Sequence, residues 1–315
     1  MAVISRGEQK KISLDLYDKK IIFYISQNSR ESLSSLSKKL KISPQRIKYK
    51  IGRLTKEILE PGIFMNFNLL NIKSYMIYLQ ECDSRIINKL MGSNSIYLLM
   101  QCIGKYQWVI NIVTNDIDAF CIEYLSQEHF DIYPITRSIP DDYNPFNLSI
   151  KPNPLKRDTY MDLNKLDYTL LTYLAKNPVD SVLKISQETK LDRKTIRERI
   201  QRYQENNFIQ KFRYGINIFK MGFLVYTLKI ETVPNMKRVV LELVRKNIYS
   251  GFVFESYNIY SMHFLPASHN DLINFIEELK KTDPSIKIEV IQNTEFFKIQ
   301  LVPDSVIEIL KGRIH

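Results

Sequence analysis

Glutamine, arginine, lysine and tyrosine recur between residues 43 and 57 around three apolar positions, Ile47, Ile51 and Leu54, whose spacing is that of one helix face. With those three turned inward, steps of about 100° point Gln45, Tyr49, Gly52 and Lys56 outward, and Arg46, Lys48 and Arg53 flank them. A second stretch is built alike. There Ile196, Ile200 and Tyr203 face in, Lys194, Glu198, Gln201 and Glu205 face out, and Arg197 and Arg202 lie beside them. Such side chains can read base edges: glutamine matches adenine, lysine matches guanine and glutamate accepts from the cytosine amino group. Arginine and lysine at the flanks suit phosphate oxygens, which set orientation without reading sequence. The spacing therefore gives Gln45, Lys194 and Glu198 to bases, and Arg46, Lys48, Arg53, Arg197 and Arg202 to phosphates. Arg193 and Arg199, nearer the inner edge, suit either role.

Other chemistry finds little support. Cys82, Cys102 and Cys121 are odd in number and far apart, which offers neither a disulfide framework nor a four-ligand zinc site. His129, His263, His269 and His315 have no metal-like spacing beyond a loose pair, His263 and His269. The phosphate-cradling, dinucleotide-binding and nucleophile-elbow glycine motifs are all missing. The expectation is a protein that is not an enzyme, with no cofactor and no metal. Polar breaks at Gln101, Lys105 and Gln107 exclude a membrane span in the most apolar stretch. Residues Met1–Arg6 lack the apolar segment of a secretory leader, so the expected location is cytoplasmic.

The elements that must position these residues occur twice. Offset by 149 residues, Leu14, Asp18, Tyr24, Asn28, Ser32 and Ser37 fall on Leu163, Asp167, Tyr173, Asn177, Ser181 and Ser186. Lys41, Ile47, Ile51, Arg53, Asn68 and Leu79 continue the register onto Lys190, Ile196, Ile200, Arg202, Asn217 and Leu228. The expectation is a duplication. Each copy opens with three helix-like segments: Ile21, Ile22 and Ile25, then Leu33, Leu36 and Leu40, then the basic helix that Ser43 caps and Pro44 starts. Leu170, Leu171 and Leu174, then Val182 and Ile185, repeat the plan, and Asp192 replaces Ser43 as cap. Two helices joined by a turn of about four residues, the second basic, are a helix-turn-helix pattern.

Strand-like runs follow in each copy, at Ser74–Glu81, Ile96–Ile103, Trp108–Thr114 and Ile132–Ser138, then at Phe223–Glu231, Ser250–Glu255, Ile259–Leu265 and Ile286–Leu301. Helical stretches separate them in the order β-α-β-β-α-β, the ferredoxin-like split motif. The fold class expected is α+β: two copies of a winged helix-turn-helix domain followed by a ferredoxin-like domain. The boundaries are 1–64 and 65–139 for the first copy, a proline-rich linker at 140–160, 161–215 and 216–302 for the second, and a C-terminal tail at 303–315.

Charge follows these boundaries. Residues 1–60 hold 14 basic and 6 acidic side chains, and residues 151–215 hold 14 and 8. Residues 61–150 hold 5 and 9, and residues 216–315 hold 12 and 11, so the net charge of +11 sits in the helical segments. Basic charge so confined suits a polyanion such as double-stranded DNA.

Leu14–Ile22, the turn Ile42-Ser43-Pro44 and Arg53-Leu54 resemble the opening domain of Lrp/AsnC-type transcription regulators. Phe208–Phe212, Asn217 and Lys220–Phe223 resemble the segment that joins this domain to the family's sensing domain, and Ile103–Tyr106 with Val109–Val113 its central turn. The resemblance covers nearly the whole chain twice, as two fused protomers. It implies a sequence-specific transcription regulator with two non-identical recognition helices in one chain, and homo-oligomers formed through the αβ domains. It also implies a small-molecule effector near a Gly-x-x-Asp turn, from which this chain departs: Gly104 is followed by Gln107, and Glu255 and Asn258 stand at the second turn. As an alternative, Tyr257–His263 is similar to a Tyr-Asn-rich strand of the siroheme decarboxylases, which places His263 near an acid or base position.

Overall fold

The computed structural model describes residues 11–126, 128–140 and 157–314. Most of the expected linker, the first ten residues and His315 lie outside them. The described residues form two packed units, one of 12–72, 157–217 and 300–314, the other of 11, 73–126, 128–140 and 218–299.

In the first unit, α1 (Leu16–Gln27), α2 (Leu33–Leu40) and α3 (Pro44–Glu57) lead into β1 (Leu59–Met65). The unit's second part runs α6 (Lys165–Lys176), α7 (Val182–Thr189), α8 (Arg193–Glu205) and β7 (Ile209–Ile216). The starts are set locally. Asp15 and Asp18 cap α1 reciprocally through side chain and backbone, as Asn164 and Asp167 cap α6. Leu36, Ile47 and Leu54 are fully buried, as are Leu170, Ile185 and Ile196, so the helical periodicity faces a core in both parts. β1 and β7 pair antiparallel, with Ile63 opposite Phe212, Phe64 opposite Lys211 and Gly62 opposite Arg213. Two chain ends of this ribbon are tied crosswise, Asn217 N–H to Ile58 C=O at 2.8 Å and Asn66 N–H to Phe208 C=O at 3.0 Å.

Residues 303–314 depart from the expectation of a tail. α11 (Asp304–Gly312) buries Val306, Ile307 and Leu310 and packs on α6. Their i, i+1, i+4 spacing is an amphipathic stripe that the short segment length obscured. Arg313 then donates to Leu70 C=O at 2.6 Å.

The second unit is one antiparallel sheet. Its first part contains β2 (Ser74–Leu79), α4 (Ser84–Gly92), β3 (Ile96–Ile103), β4 (Trp108–Val113), α5 (Ile117–Leu125), β5 (Phe130–Pro134) and β6 (Arg137–Ile139). Its second part contains β8 (Val225–Glu231), α9 (Lys237–Lys246), β9 (Ser250–Ser256), β10 (Ile259–Phe264), α10 (His269–Thr282) and β11 (Lys287–Ile299). Strand order is β5-β2-β4-β3-β11-β8-β10-β9-β6. The ferredoxin-like order thus appears in each part, β5-β2-β4-β3 and β11-β8-β10-β9. Alternation directs Ile77, Leu79, Leu99 and Ile110 to a core with α4 and α5, and Leu228, Ile230, Met262 and Phe264 to one with α9 and α10.

The last strand of the first part differs from its expected outline. Instead of one strand at Ile132–Ser138 there are two, because Ile135 N–H still bonds Ser74 C=O while Thr136 N–H turns to Glu255 C=O. The run at Ile286–Leu301 is one strand, β11, whose N-terminal part pairs with β8 and whose C-terminal part pairs with β3 across two register shifts.

Gly62 marks a close approach, since a Cβ there would stand 2.6 Å from Leu301 Cδ1 and 3.0 Å from its Cβ. Gly62→Val is expected to cost about 1–3 kcal/mol by overpacking, read as a lower urea midpoint. Adding Leu301→Ala should recover part of that loss; no recovery would place the strain elsewhere.

Candidate nucleic-acid interface

The basic helices are held by parallel sets of local interactions. Ser32 Oγ accepts from Ser35 N–H to start α2, and Lys41 ends it in the left-handed region at φ 55°. Ser37 Oγ then donates to Ile42 C=O at 2.6 Å, locking the turn, and Ser43 with Pro44 opens α3. In the second part Ser181 starts α7, Lys190 ends it at φ 60°, Ser186 Oγ donates to Leu191 C=O at 2.7 Å, and Asp192 caps α8. The first turn of α3 carries no acidic residue and its cap, Ser43, is neutral, so the positive end of its peptide dipole stays uncancelled, whereas α8 carries the Asp192 carboxylate at its start.

Gln45, Arg46, Lys48, Tyr49 and Lys56 are exposed on α3, Tyr49 at 73%. Arg46 lies over the Tyr17 ring at 5.1 Å, a stacking that spreads its guanidinium along the surface. On α8, Arg193, Lys194, Arg197, Glu198, Gln201 and Arg202 are exposed. Lys194 and Glu198 stand 3.9 Å apart as a loose i, i+4 pair, and Gln201 Nε2 donates to Glu205 at 2.7 Å. Arg202 Nε reaches Met161 Sδ at 3.4 Å.

Two of the sequence-selected arginines are engaged differently. Arg53 Nη2 lies 2.6 Å from Asp18 Oδ2, and Arg199 Nη1 donates to the fully buried Asp167. Both were assigned to phosphate or base contact. The reason for the difference is that a carboxylate from the first helix of each trio reaches the flank of the third. Lys50, which the sequence reading passed over, completes the arrangement: its ammonium sits 2.6 Å from Asp15 Oδ2 and 2.9 Å from Asp18 Oδ1. Its position three residues after Ile47 and four before Leu54, on the apolar face, was the available signal. Burial disfavours the Lys50 ammonium, but the two aspartates raise its pKa above the ordinary lysine value. The Lys50 hydrogen bond in turn holds Asp15 down to about 2. Burial pushes Asp167 up, yet the Asn164 amide, Arg199 and Tyr203 bonds together keep it below the usual range.

The sheet unit carries a second charged cluster that sequence reasoning missed. Lys229 Nζ lies 3.1 Å from Asp131, 3.0 Å from Glu289 and 3.2 Å from Tyr106 Oη, with the Tyr133 ring centre at 4.9 Å. These residues come from four separate strands and turns, so no local spacing announced them. His263, the sequence candidate for acid or base, is buried in β10 with the Phe252 and Phe254 rings at 6.3 and 6.1 Å. Burial pulls its pKa down to about 4, so the imidazole is neutral near pH 7. At the two turns compared with the effector site, Gln107 is exposed and Glu255 is paired with Lys237 at 2.8 Å. Among the described residues, no group of three or more His, Cys, Asp or Glu side chains is placed to hold a metal ion.

Residues 14–57 match the winged helix-turn-helix DNA-binding family. A curated relative, an uncharacterized HTH-type transcriptional regulator of Pyrococcus furiosus, is 28% identical over 138 residues, covering 41% of this chain and 93% of that protein. Among solved structures, the siroheme decarboxylase NirDL covers 95% of this chain and 98% of its own, with a TM-score of 0.57 and 12% identity. AsnC of E. coli covers 45% of this chain and 100% of its own, at a TM-score of 0.34 and 18% identity. Residues 14–57 are thus a helix-turn-helix DNA-binding domain, in a chain of mixed α and β structure similar to transcription regulators. The expectation that the chain is not an enzyme is corrected by the NirDL match, since an enzyme has this fold over almost the full length. The missing glycine motifs and the Cys and His spacing pointed away from catalysis, but they bear only on those particular chemistries. No helix among the described residues is long and apolar enough to cross a membrane.

Replacing Asp167 by Asn leaves the half-buried Arg199 without a carboxylate and should cost roughly 3 kcal/mol at pH 7. Because the folded-state pKa of Asp167 is depressed, its contribution is full above the ordinary aspartate range and lost as pH falls through the lower folded value. The gap between wild type and Asp167→Asn should therefore close on acidification from pH 6 to pH 2 in urea titrations. A gap independent of pH would contradict this role.

Proposed function

We propose that the chain is a sequence-specific, double-stranded-DNA-binding transcription regulator built as a tandem duplication, with a recognition helix in each copy. The observation that carries this reading is the exposed basic face of α3 inside the family-matched segment, repeated by α8 with an equivalent turn bond and an inner carboxylate. The proposed domains are the helix-turn-helix segments 1–64 and 161–215 and the ferredoxin-like segments 65–139 and 216–302. The proposed bases are read by Gln45, Tyr49, Lys194, Glu198 and Gln201, while Arg46, Lys48, Lys56, Arg193, Arg197 and Arg202 grip phosphate. Arg53 and Arg199 support the interface from behind by fixing each third helix to the first. The cytoplasm is the proposed location, and homo-oligomers through the outer surfaces of the sheet unit are part of the proposal. For a small-molecule effector, the first central turn offers Gln107 in place of a carboxylate, and at the second Glu255 is already paired with Lys237.

A second reading is favoured by one observation, the fold similarity to NirDL over nearly the whole chain. In it the sheet unit takes an iron tetrapyrrole and decarboxylates it. The buried, neutral His263 is then a poor proton donor, and the acid would come from another group.

Affinity for random duplex DNA is expected to fall steeply with salt. Lys48→Ala and Arg197→Ala should each weaken binding to every sequence alike and reduce the salt slope by about 1. Gln45→Ala should instead change the preferred bases. An unchanged slope in both basic variants would remove them from the interface. Titration with siroheme tests the second reading: a shifted absorption band together with release of carbon dioxide establishes it, and an unchanged spectrum removes it.

A further inference from the structure

The pairing of β1 with β7 has a particular centre. Ile63 faces Phe212, its own counterpart at the 149-residue offset, and the neighbouring pairs Gly62–Arg213 and Phe64–Lys211 exchange counterparts across it. Such reciprocity is the mark of a twofold axis, in which each part offers the other the same surface. Two more contacts obey it. α1 packs on β7 while α6 packs on β1. The turn after α1 meets the turn after α6 where Arg30 Nη1 donates to Pro178 C=O at 2.9 Å, Pro178 being the counterpart of Ser29. Arg30 also lies over the Phe212 ring at 5.1 Å, and Ser29 N–H donates to Phe212 C=O at 3.0 Å.

A rotation that carries the first trio onto the second carries α3 onto α8. A duplex entered by both helices must lie across that axis, so α8 meets the opposite strand, read in the reverse sense. The axis relates backbones, however, and not the reading side chains. α3 presents Gln45 and Tyr49 where α8 presents Lys194 and Glu198. These pairs differ in size and in charge. A tyrosine has no carboxylate with which to accept from a cytosine amino group, and a glutamine differs from a lysine in carrying an acceptor.

Resting on the DNA-binding reading, we infer that this chain recognises an inverted repeat whose two half-sites are unlike, and therefore occupies its site in a single orientation. The half-site under α3 is selected by Gln45 and Tyr49, and the half-site under α8 by Lys194 and Glu198. Each complex accordingly has a direction along the duplex, set by one chain alone.

The test starts with full-length protein and a random-sequence duplex library, from which bound sequences are recovered. Four duplexes follow in an anisotropy titration at one fixed salt: the recovered site, the two symmetrised versions, and one with the second half-site reversed into a direct repeat. The recovered site should bind at least tenfold more tightly than each of the other three. Equal affinity for either symmetrised site, or for the direct repeat, overturns the inference while leaving DNA recognition intact. Recovery of no motif overturns both. A chain carrying Gln45→Lys and Tyr49→Glu, both at exposed helix positions, should move its preference to the site symmetrised on the α8 half. Retention of the original preference in that folded variant counts against the assignment.

Discussion

The hydrogen bonds that join β3 to the C-terminal part of β11, and β9 to β6, decide what the sheet unit is. A four-stranded ferredoxin-like sheet leaves two edges with unpaired amides and carbonyls, and such edges invite uncontrolled pairing. Here each part covers an edge of the other. The last strand of each part is shared: β5 stays with β2 while β6 crosses to β9, and β11 divides its length between β8 and β3. Only Ile135 and Thr136 separate β5 from β6, which stand at opposite ends of the strand order. The ladder therefore returns to its starting strand pair through a covalent bend.

That closure explains why polar side chains can be buried on the face turned away from the helices. Asn293 joins Thr227 and Cys102, with Cys102 Sγ 3.1 Å from Asn293 Oδ1 and Asn293 Nδ2 3.0 Å from Thr227 Oγ1. Lys229 finds one carboxylate in each part, Asp131 and Glu289. These groups satisfy one another across strands that are far apart in sequence, and a buried polar group without such partners is costly. In the helical unit, the carboxylates Asp18 and Asp167 meet cations from α3 and α8 in the same spirit, and the inner flank of each basic helix is fixed while its outer face faces solvent.

Much of this was legible in the amino-acid order, and the illegible parts share a cause. Ser43 with Pro44 and Asp192 act through bonds two or three residues long, so their positions alone named the helix starts. The alternating strands and their order were readable for the same reason. The break at Ile135–Thr136 was hidden because what divides that strand is its change of partner, from Ser74 to Glu255. Helical spacing correctly turned Gln45 and Lys194 outward. It gave Arg53 and Arg199 a direction and left their distant carboxylates unseen. Lys229 had no signal at all, since the residues that hold it are spread from Tyr106 to Glu289. Reading charge by segment placed the basic side chains on the helices, while the absence of short catalytic motifs misled on catalysis because it cannot register a fold that an enzyme shares.

The pairing of β3 with β11 occurs within one polypeptide. A regulator assembled from separate protomers falls apart on dilution and trades subunits with its relatives. Tethering replaces that second-order encounter by an internal one whose effective concentration is set by chain length. For this molecule the joining of the two sheet parts is therefore indifferent to expression level, and mixed species with other chains have no vacant edge to enter at β3 or β9.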